Sequence, residues 1–240
     1  MRPRIVGRLG LADAVTIANA VLGFVAVVVA FVDVELAARL VLLAAVFDGL
    51  DGVVARHHGS TPVGPALDSL ADVASFAVAP AVLAFVVITT ELGVDFQTVT
   101  PELLAVSVVC GAFVAMAVAR LGLYTVYDTG DHYTEGVQTT LAATIFGAAV
   151  LAEPNANPWL LLAAMAVFSY LMVARIKYPE LLARDALVMG VVHVLAILIP
   201  EFAGRTFPYA LLTLGLAYLV FGPWLYWRGG ALVERVYGKA

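Results

Sequence analysis

Asp48-Gly-Leu-Asp51-Gly52-Val-Val-Ala55-Arg56, then seven residues, then Gly64-Pro65-Ala-Leu-Asp68-Ser-Leu-Ala-Asp72: this stretch decides how the chain reads. Both halves sit in segments otherwise apolar enough for a membrane interior. An aspartate at the centre of a membrane helix costs about 2.5–3.5 kcal/mol on insertion scales, so four of them imply a site or a pathway. Residues 48, 51, 52, 55 and 56 follow i, i+3, i+4, i+7, i+8 and share one helical face; residues 64, 68 and 72 step by four along the next. Pro62 in the connection and Pro65 at the next helix start turn the chain back antiparallel. The four carboxylates are then expected to converge around one cavity.

Outward from that stretch the chain stays apolar. Of 240 residues, 62% are hydrophobic and 13% charged, where soluble domains carry about a quarter charged. Runs of about 20 apolar residues, long enough to cross a hydrocarbon core, recur from end to end. They predict an all-α fold: a polytopic membrane helix bundle of about eight transmembrane helices with a six-helix catalytic core, one domain over residues 1–240. The expected spans are Leu11–Val32, Leu36–Arg56, Ala66–Thr90, Glu102–Tyr124, Val137–Ala152, Pro158–Ile176, Asp185–Ile199 and Pro208–Trp227. Gly59-Ser-Thr-Pro62, Thr100-Pro101, Glu153-Pro-Asn-Ala-Asn-Pro158 and Lys177-Tyr-Pro-Glu180 carry turn chemistry. The run after Leu11 lacks a small-residue cleavage site and is expected to stay as a mature helix. Cys110 is the single cysteine and lies in an apolar run, which excludes a disulfide framework or a Cys-based metal site.

Charge sets an expected orientation. With eight spans both termini share a side, which collects Arg2, Arg4, Arg8, Arg56, Arg120, Arg175, Lys177, Arg184, Arg228, Arg235 and Lys239. The other side keeps Arg39 and Arg205 beside acidic residues such as Glu35, Asp95 and Glu153. Eleven basic residues against two predict an integral, multi-pass cell membrane protein with both termini and the aspartate site cytoplasmic.

Clustered carboxylates in a low dielectric need cations, and oxygen-only ligation selects hard divalent ions, Mg2+ or Mn2+ first and Ca2+ next. Gly52 and Ala55 leave a groove beside the carboxylates, and Arg56 one step beyond suits a phosphate oxygen. Divalent metals, an arginine and a groove describe phosphoryl-type transfer. Two other readings stay open on these grounds. Gly52 and Ala55 also suit plain helix packing, and a cation-coupled transporter also lines its pathway with aspartates. Against the transporter, all four lie near one membrane face, and no broken helix pair occurs at matching midplane positions.

At these residues the sequence resembles the CDP-alcohol phosphatidyltransferases, which share D-x2-D-G-x2-A-R-x7/8-G-x3-D-x3-D. Asp48, Asp51, Gly52, Ala55, Arg56, Gly64, Asp68 and Asp72 fill every specified position. Phe47, the run Leu67–Pro80, Tyr170–Pro179, and Thr16-Ile-Ala-Asn19 with Gly23 are similar to the phosphatidylserine and archaetidylserine synthase branch. The resemblance covers about residues 11–180 and implies a usually dimeric six-helix fold with a di-metal site, holding two Mg2+ or Mn2+ ions. It implies transfer of a lipid phosphate from CDP-diacylglycerol or CDP-archaeol to L-serine with release of CMP, among membrane lipids and with no nucleic acid. Glycerol 3-phosphate or inositol phosphate is the alternative acceptor.

By that resemblance Asp48, Asp51 and Asp68 hold metal, Asp72 is shared between metal and general base, and Gly52, Ala55, Arg56, Gly64 and Asn19 seat the CDP-lipid. Arg120, with Arg175 and Lys177, is the candidate holder of the acceptor carboxylate or lipid phosphate. His57 and His58 are expected in the loop, His193 as a hydrogen-bonded packing residue, and Asp128, Asp131, His132 and Glu135 as an acidic loop. Two departures bear on the acceptor: Leu123 stands where the branch has a second arginine, and Gly136-Val-Gln138-Thr139 replaces G-L-P-T/S.

Overall fold

The computed structural model describes residues 8–94, 98–128, 133–179, 181 and 183–227, with backbone alone at 128, 183 and 184. Arg2, Arg4, Asp95, Asp131, His132, Glu180, Arg228, Arg235 and Lys239, and the side chains of Asp128 and Arg184, lie outside the described residues. Eight helices form among the described residues: α1 Leu11–Ala30, α2 Val34–His58, α3 Gly64–Glu91, α4 Pro101–Leu123, α5 Thr139–Ala152, α6 Pro158–Val173, α7 Ala183–Leu198 and α8 Thr206–Leu225. Four of these, α1, α3, α4 and α8, are long and apolar enough to cross a membrane, while α5, α6 and α7 are shorter apolar helices. The 25-residue α2 has the length but carries Glu35, Arg39, Asp48, Asp51 and Arg56. The expected helical membrane bundle is what the chain forms.

Local chemistry sets the ends. Asp33 Oδ1 accepts the Leu36 amide at 2.9 Å and Asn157 Oδ1 the Trp159 amide at 2.9 Å, capping α2 and α6. Pro65, Pro101 and Pro158 occupy first-turn positions, where the missing N–H costs nothing. Inside the bundle α5 is wrapped on nearly every side, with 12 of its 14 residues buried. Its alanines and Gly147 let neighbours approach, and Phe146 packs edge-on between Phe113 of α4 and Phe168 of α6 at 6.3 and 6.0 Å. At the end away from the aspartates, Arg205 donates to Leu151 O at 2.5 Å and Glu35 Oε1 at 2.9 Å, joining the ends of α8, α5 and α2.

Four local expectations need correction. His57 and His58 are the last residues of α2, not loop residues; Arg56 beside them places positive charge at the helix C-terminus, where the dipole favours it, and Gly59 at φ +86° ends the helix. Lys177–Pro179 is not a turn but strand β2, paired antiparallel with β1, Tyr133–Glu135. The pairing sets Thr134 opposite Tyr178 and Glu135 opposite Lys177, so Glu135 leaves the expected acidic loop for a ladder. The sixth span ends at Val173, three residues short of Ile176.

Candidate active site

Asp48 comes from α2, and Asp68 and Asp72 from one face of α3. Each offers a carboxylate oxygen, and the three lie within 4.8 Å of one another. Directly after Asp72 the helix widens into a π segment, Val73–Val78, in which the Ala79 amide donates to Ala74 O, five residues back. Against that segment α1 comes close: a Cβ on Gly23 would lie 2.7 Å from Ser75 Cα, and Ser75 Oγ donates to Asn19 O at 2.8 Å. This packing holds α3 where its two aspartates meet α2.

Asp48 and Asp72 lie within hydrogen-bonding reach of each other, and the Arg120 guanidinium acts electrostatically on Asp72. Asp72 is buried, and its Oδ1 has no hydrogen-bond partner among the described residues. Three crowded carboxylates with an orphaned buried oxygen, and no histidine or cysteine grouped with them among the described residues, fit a hard divalent cation. The residues present therefore suit the metal that the motif implies.

The expected single cavity resolves into two that share Asp68. One, of about 250 Å3, is lined by Asp51, Gly52, Ala55, Gly64 and Asp68 together with Asp13, Thr16 and Thr61. The other, of about 190 Å3, is lined by Asp48, Asp68, Asp72 and Arg120 with Tyr133, Thr134, Gln138 and Thr140. Asp51 leaves the three-carboxylate group because Thr16 Oγ1 donates to its Oδ2 at 2.6 Å, turning it toward α1. Thr140 reaches Asp48 Oδ2 at 3.5 Å, the outer limit of a hydrogen bond.

The remaining candidates fall into place unevenly. Arg120 is buried, donates to Thr134 Oγ1 at 3.2 Å and lies 5.0 Å over the Tyr124 ring. Arg56 is exposed at the end of α2, where a Cβ on Gly52 would lie 3.6 Å from its guanidinium. Asn19 is fully buried on α1 and does not line the first cavity, and neither amide atom has a partner among the described residues. Arg175 is exposed and Lys177 covers the Tyr133 ring at 4.3 Å; neither lines either of these two cavities. Leu123 faces outward, while Gln138 lines the second cavity just before α5. His193 is buried against Thr144 at 3.3 Å, the packing role expected of it.

Sequence reasoning missed Asp13, Thr16, Thr61, Tyr133, Thr134 and Thr140. Asp13 holds the α2–α3 connection by accepting from Thr61 Oγ1 at 2.9 Å. A signal existed for part of this: Asp13, Thr16 and Asn19 recur every three residues along an otherwise apolar α1.

Residues 9–175 match the family model for CDP-alcohol phosphatidyltransferase. The chain is 31% identical over 182 residues to an archaetidylserine synthase of Methanothermobacter thermautotrophicus, covering 74% of this chain and 72% of that one. It is 30% identical over 224 residues to a CDP-diacylglycerol–serine O-phosphatidyltransferase of Methanocaldococcus jannaschii, covering 91% and 95%. A protein of the latter name from Helicobacter pylori is 34% identical over 154 residues, covering 60% and 61%. The transporter reading falls with these matches, and the chain belongs to the CDP-alcohol phosphatidyltransferase family.

Proposed function

We propose that the protein transfers the phosphatidyl or archaetidyl group of a CDP-activated lipid to the hydroxyl of L-serine, releasing CMP. The observation that carries this reading is the pair of cavities meeting at Asp68, one walled by the small residues of the motif and one by Asp72 and Arg120. The first suits the CDP moiety, since Gly52, Ala55 and Gly64 leave room for a diphosphate. The second suits a small anionic alcohol: Arg120 meets its carboxylate, and the Asp72 carboxylate accepts the hydroxyl proton as the hydroxyl oxygen bonds to the lipid phosphorus. The bond from that phosphorus to CMP breaks, and CMP leaves through the first cavity. Asp48, Asp68 and Asp72, with Asp51 toward the donor, would hold Mg2+ or Mn2+, which would supply charge neutralisation on the diphosphate.

Serine is favoured over glycerol 3-phosphate or inositol phosphate because Arg120 is the one cation among the described residues lining the second cavity. The names of the relatives from Methanothermobacter and Methanocaldococcus support the same acceptor. The site faces the cytoplasm in this proposal, since the far end keeps only Arg39 and Arg205 of the chain's 13 lysines and arginines. The whole chain acts as one catalytic unit and works as a homodimer.

The test is CMP release by purified protein in detergent with Mn2+ and a CDP-lipid, with and without L-serine, beside Asp72→Asn. Serine-dependent release, reduced at least a hundredfold in the variant, is expected. Release with another alcohol but not with serine overturns the acceptor. Equal rates in Asp72→Asn overturn the assigned base.

A further inference from the structure

The two C-terminal helices lie beyond the matched residues 9–175, and nothing in the chemistry above uses them. They are nevertheless tied to one wall of the second cavity. Tyr133 and Thr134 of β1 form that wall, and Thr134 receives the hydrogen bond from Arg120. Each strand is three residues long, and an isolated two-stranded ribbon of that size has little stability of its own. Its position must come from what it packs against.

That support is α8. Tyr218 of α8 donates its buried hydroxyl to Pro179 O of β2 at 2.5 Å, and Tyr178 of β2 returns a bond to Leu219 O of α8 at 3.2 Å. The two rings lie 6.0 Å apart. Tyr226 packs edge-on against Tyr218 and hydrogen-bonds to Asp185 of α7. Trp227, just past α8, lies 6.4 Å from the Tyr133 ring. Strand β2 is thus fixed to α8 by a reciprocal pair of tyrosine hydroxyls, and the ladder passes that position to Thr134 and so to Arg120.

We propose that Tyr218 and Tyr178 are positioning residues for the acceptor alcohol, setting the wall that aims Arg120 into the second cavity. The inference rests on reading that cavity as the acceptor's. No described residue of β1, β2, α7 or α8 lines the first cavity, so the donor is outside their reach.

The test compares Tyr218→Phe and Tyr178→Phe, which keep the rings and lose one hydroxyl each, with Tyr209→Phe. Tyr209 lies on the same helix, and its hydroxyl bonds to Glu153 at 2.7 Å away from the ribbon. Tyr218→Phe and Tyr178→Phe should each raise the acceptor KM about fivefold, the scale of one buried hydrogen bond, with the CDP-lipid KM unchanged. Tyr209→Phe should change neither. Hydrogen exchange at the Tyr133–Glu135 amides should quicken in Tyr218→Phe and Tyr178→Phe but not in Tyr209→Phe. An active wild type whose variants keep the acceptor KM, or raise both KM values together, overturns the proposal. A wild type with no serine-dependent CMP release overturns the functional reading instead. In that case unchanged exchange at Tyr133–Glu135 also overturns the tyrosine clamp.

Discussion

Thr16 and Thr140 each aim a hydroxyl at an aspartate of the motif, Thr16 at 2.6 Å from Asp51 and Thr140 at 3.5 Å from Asp48. The shorter contact decides which cavity Asp51 serves. Thr16→Val keeps the shape of the side chain and deletes a bond to a carboxylate, worth about 1.5–3 kcal/mol. It should raise the CDP-lipid KM roughly tenfold and leave the acceptor KM unchanged, as initial rates with each substrate varied will show. An equal change in both would return Asp51 to the carboxylate group. The four aspartates were legible in the sequence because their cost in lipid makes them conspicuous. The division of labour among them was not, since Asp51 is turned by a residue 35 positions away on a helix whose packing no local pattern encodes. Arg120 was legible as an intramembrane cation; its Thr134 partner was hidden in a segment that reads as polar loop.

The helices themselves were written plainly in apolar runs and in their caps, and the structure moves their ends by only a few residues. What the pattern missed are interruptions of regular geometry. The π segment after Asp72 is one: it changes the helical phase, so Asp68 and Asp72 face the site while Leu83 and Ile88 farther along α3 face the core. Gly23 is the contact that seats this widened turn. Gly23→Ala would drive a methyl carbon to 2.7 Å from Ser75 Cα and 2.8 Å from the Ala74 carbonyl carbon, both backbone atoms that cannot swing aside. The expected loss is about 1–3 kcal/mol, seen as a lower thermal midpoint of the purified protein. An unchanged midpoint would show that α1 slides freely past α3. The β1–β2 ladder escaped for another reason. Pro179 and Lys177 read as turn chemistry, and a three-residue strand carries no periodicity until its partner, some forty residues earlier, lies beside it.

Across the molecule the two ends of the bundle differ in kind. The far end is closed by ion pairs around Glu35, whereas the near end gathers three carboxylates that could together hold a cation. Mn2+ at a hundred times its Kd should therefore stabilise the fold by about 2.7 kcal/mol, measured as a rise in thermal midpoint that EDTA reverses. Asp68→Asn should lose most of that rise; an equal rise in the variant would place the ion elsewhere. The helical membrane class and the number of helices were readable from the apolar runs, because lipid imposes them on each segment. The depth of the chemistry was not, and it follows from α5. Fourteen residues of α-helix extend about 21 Å, against roughly 30 Å of hydrocarbon. Walled in by its neighbours, α5 is under no pressure to match the bilayer. Its first turn, with Gln138 and Thr140 at the second cavity, can therefore end several ångströms beneath the headgroups. Under the proposed function, a water-soluble alcohol would then come down to a lipid that need not rise, and the lipid's acyl or isoprenoid chains would keep their surroundings throughout the transfer.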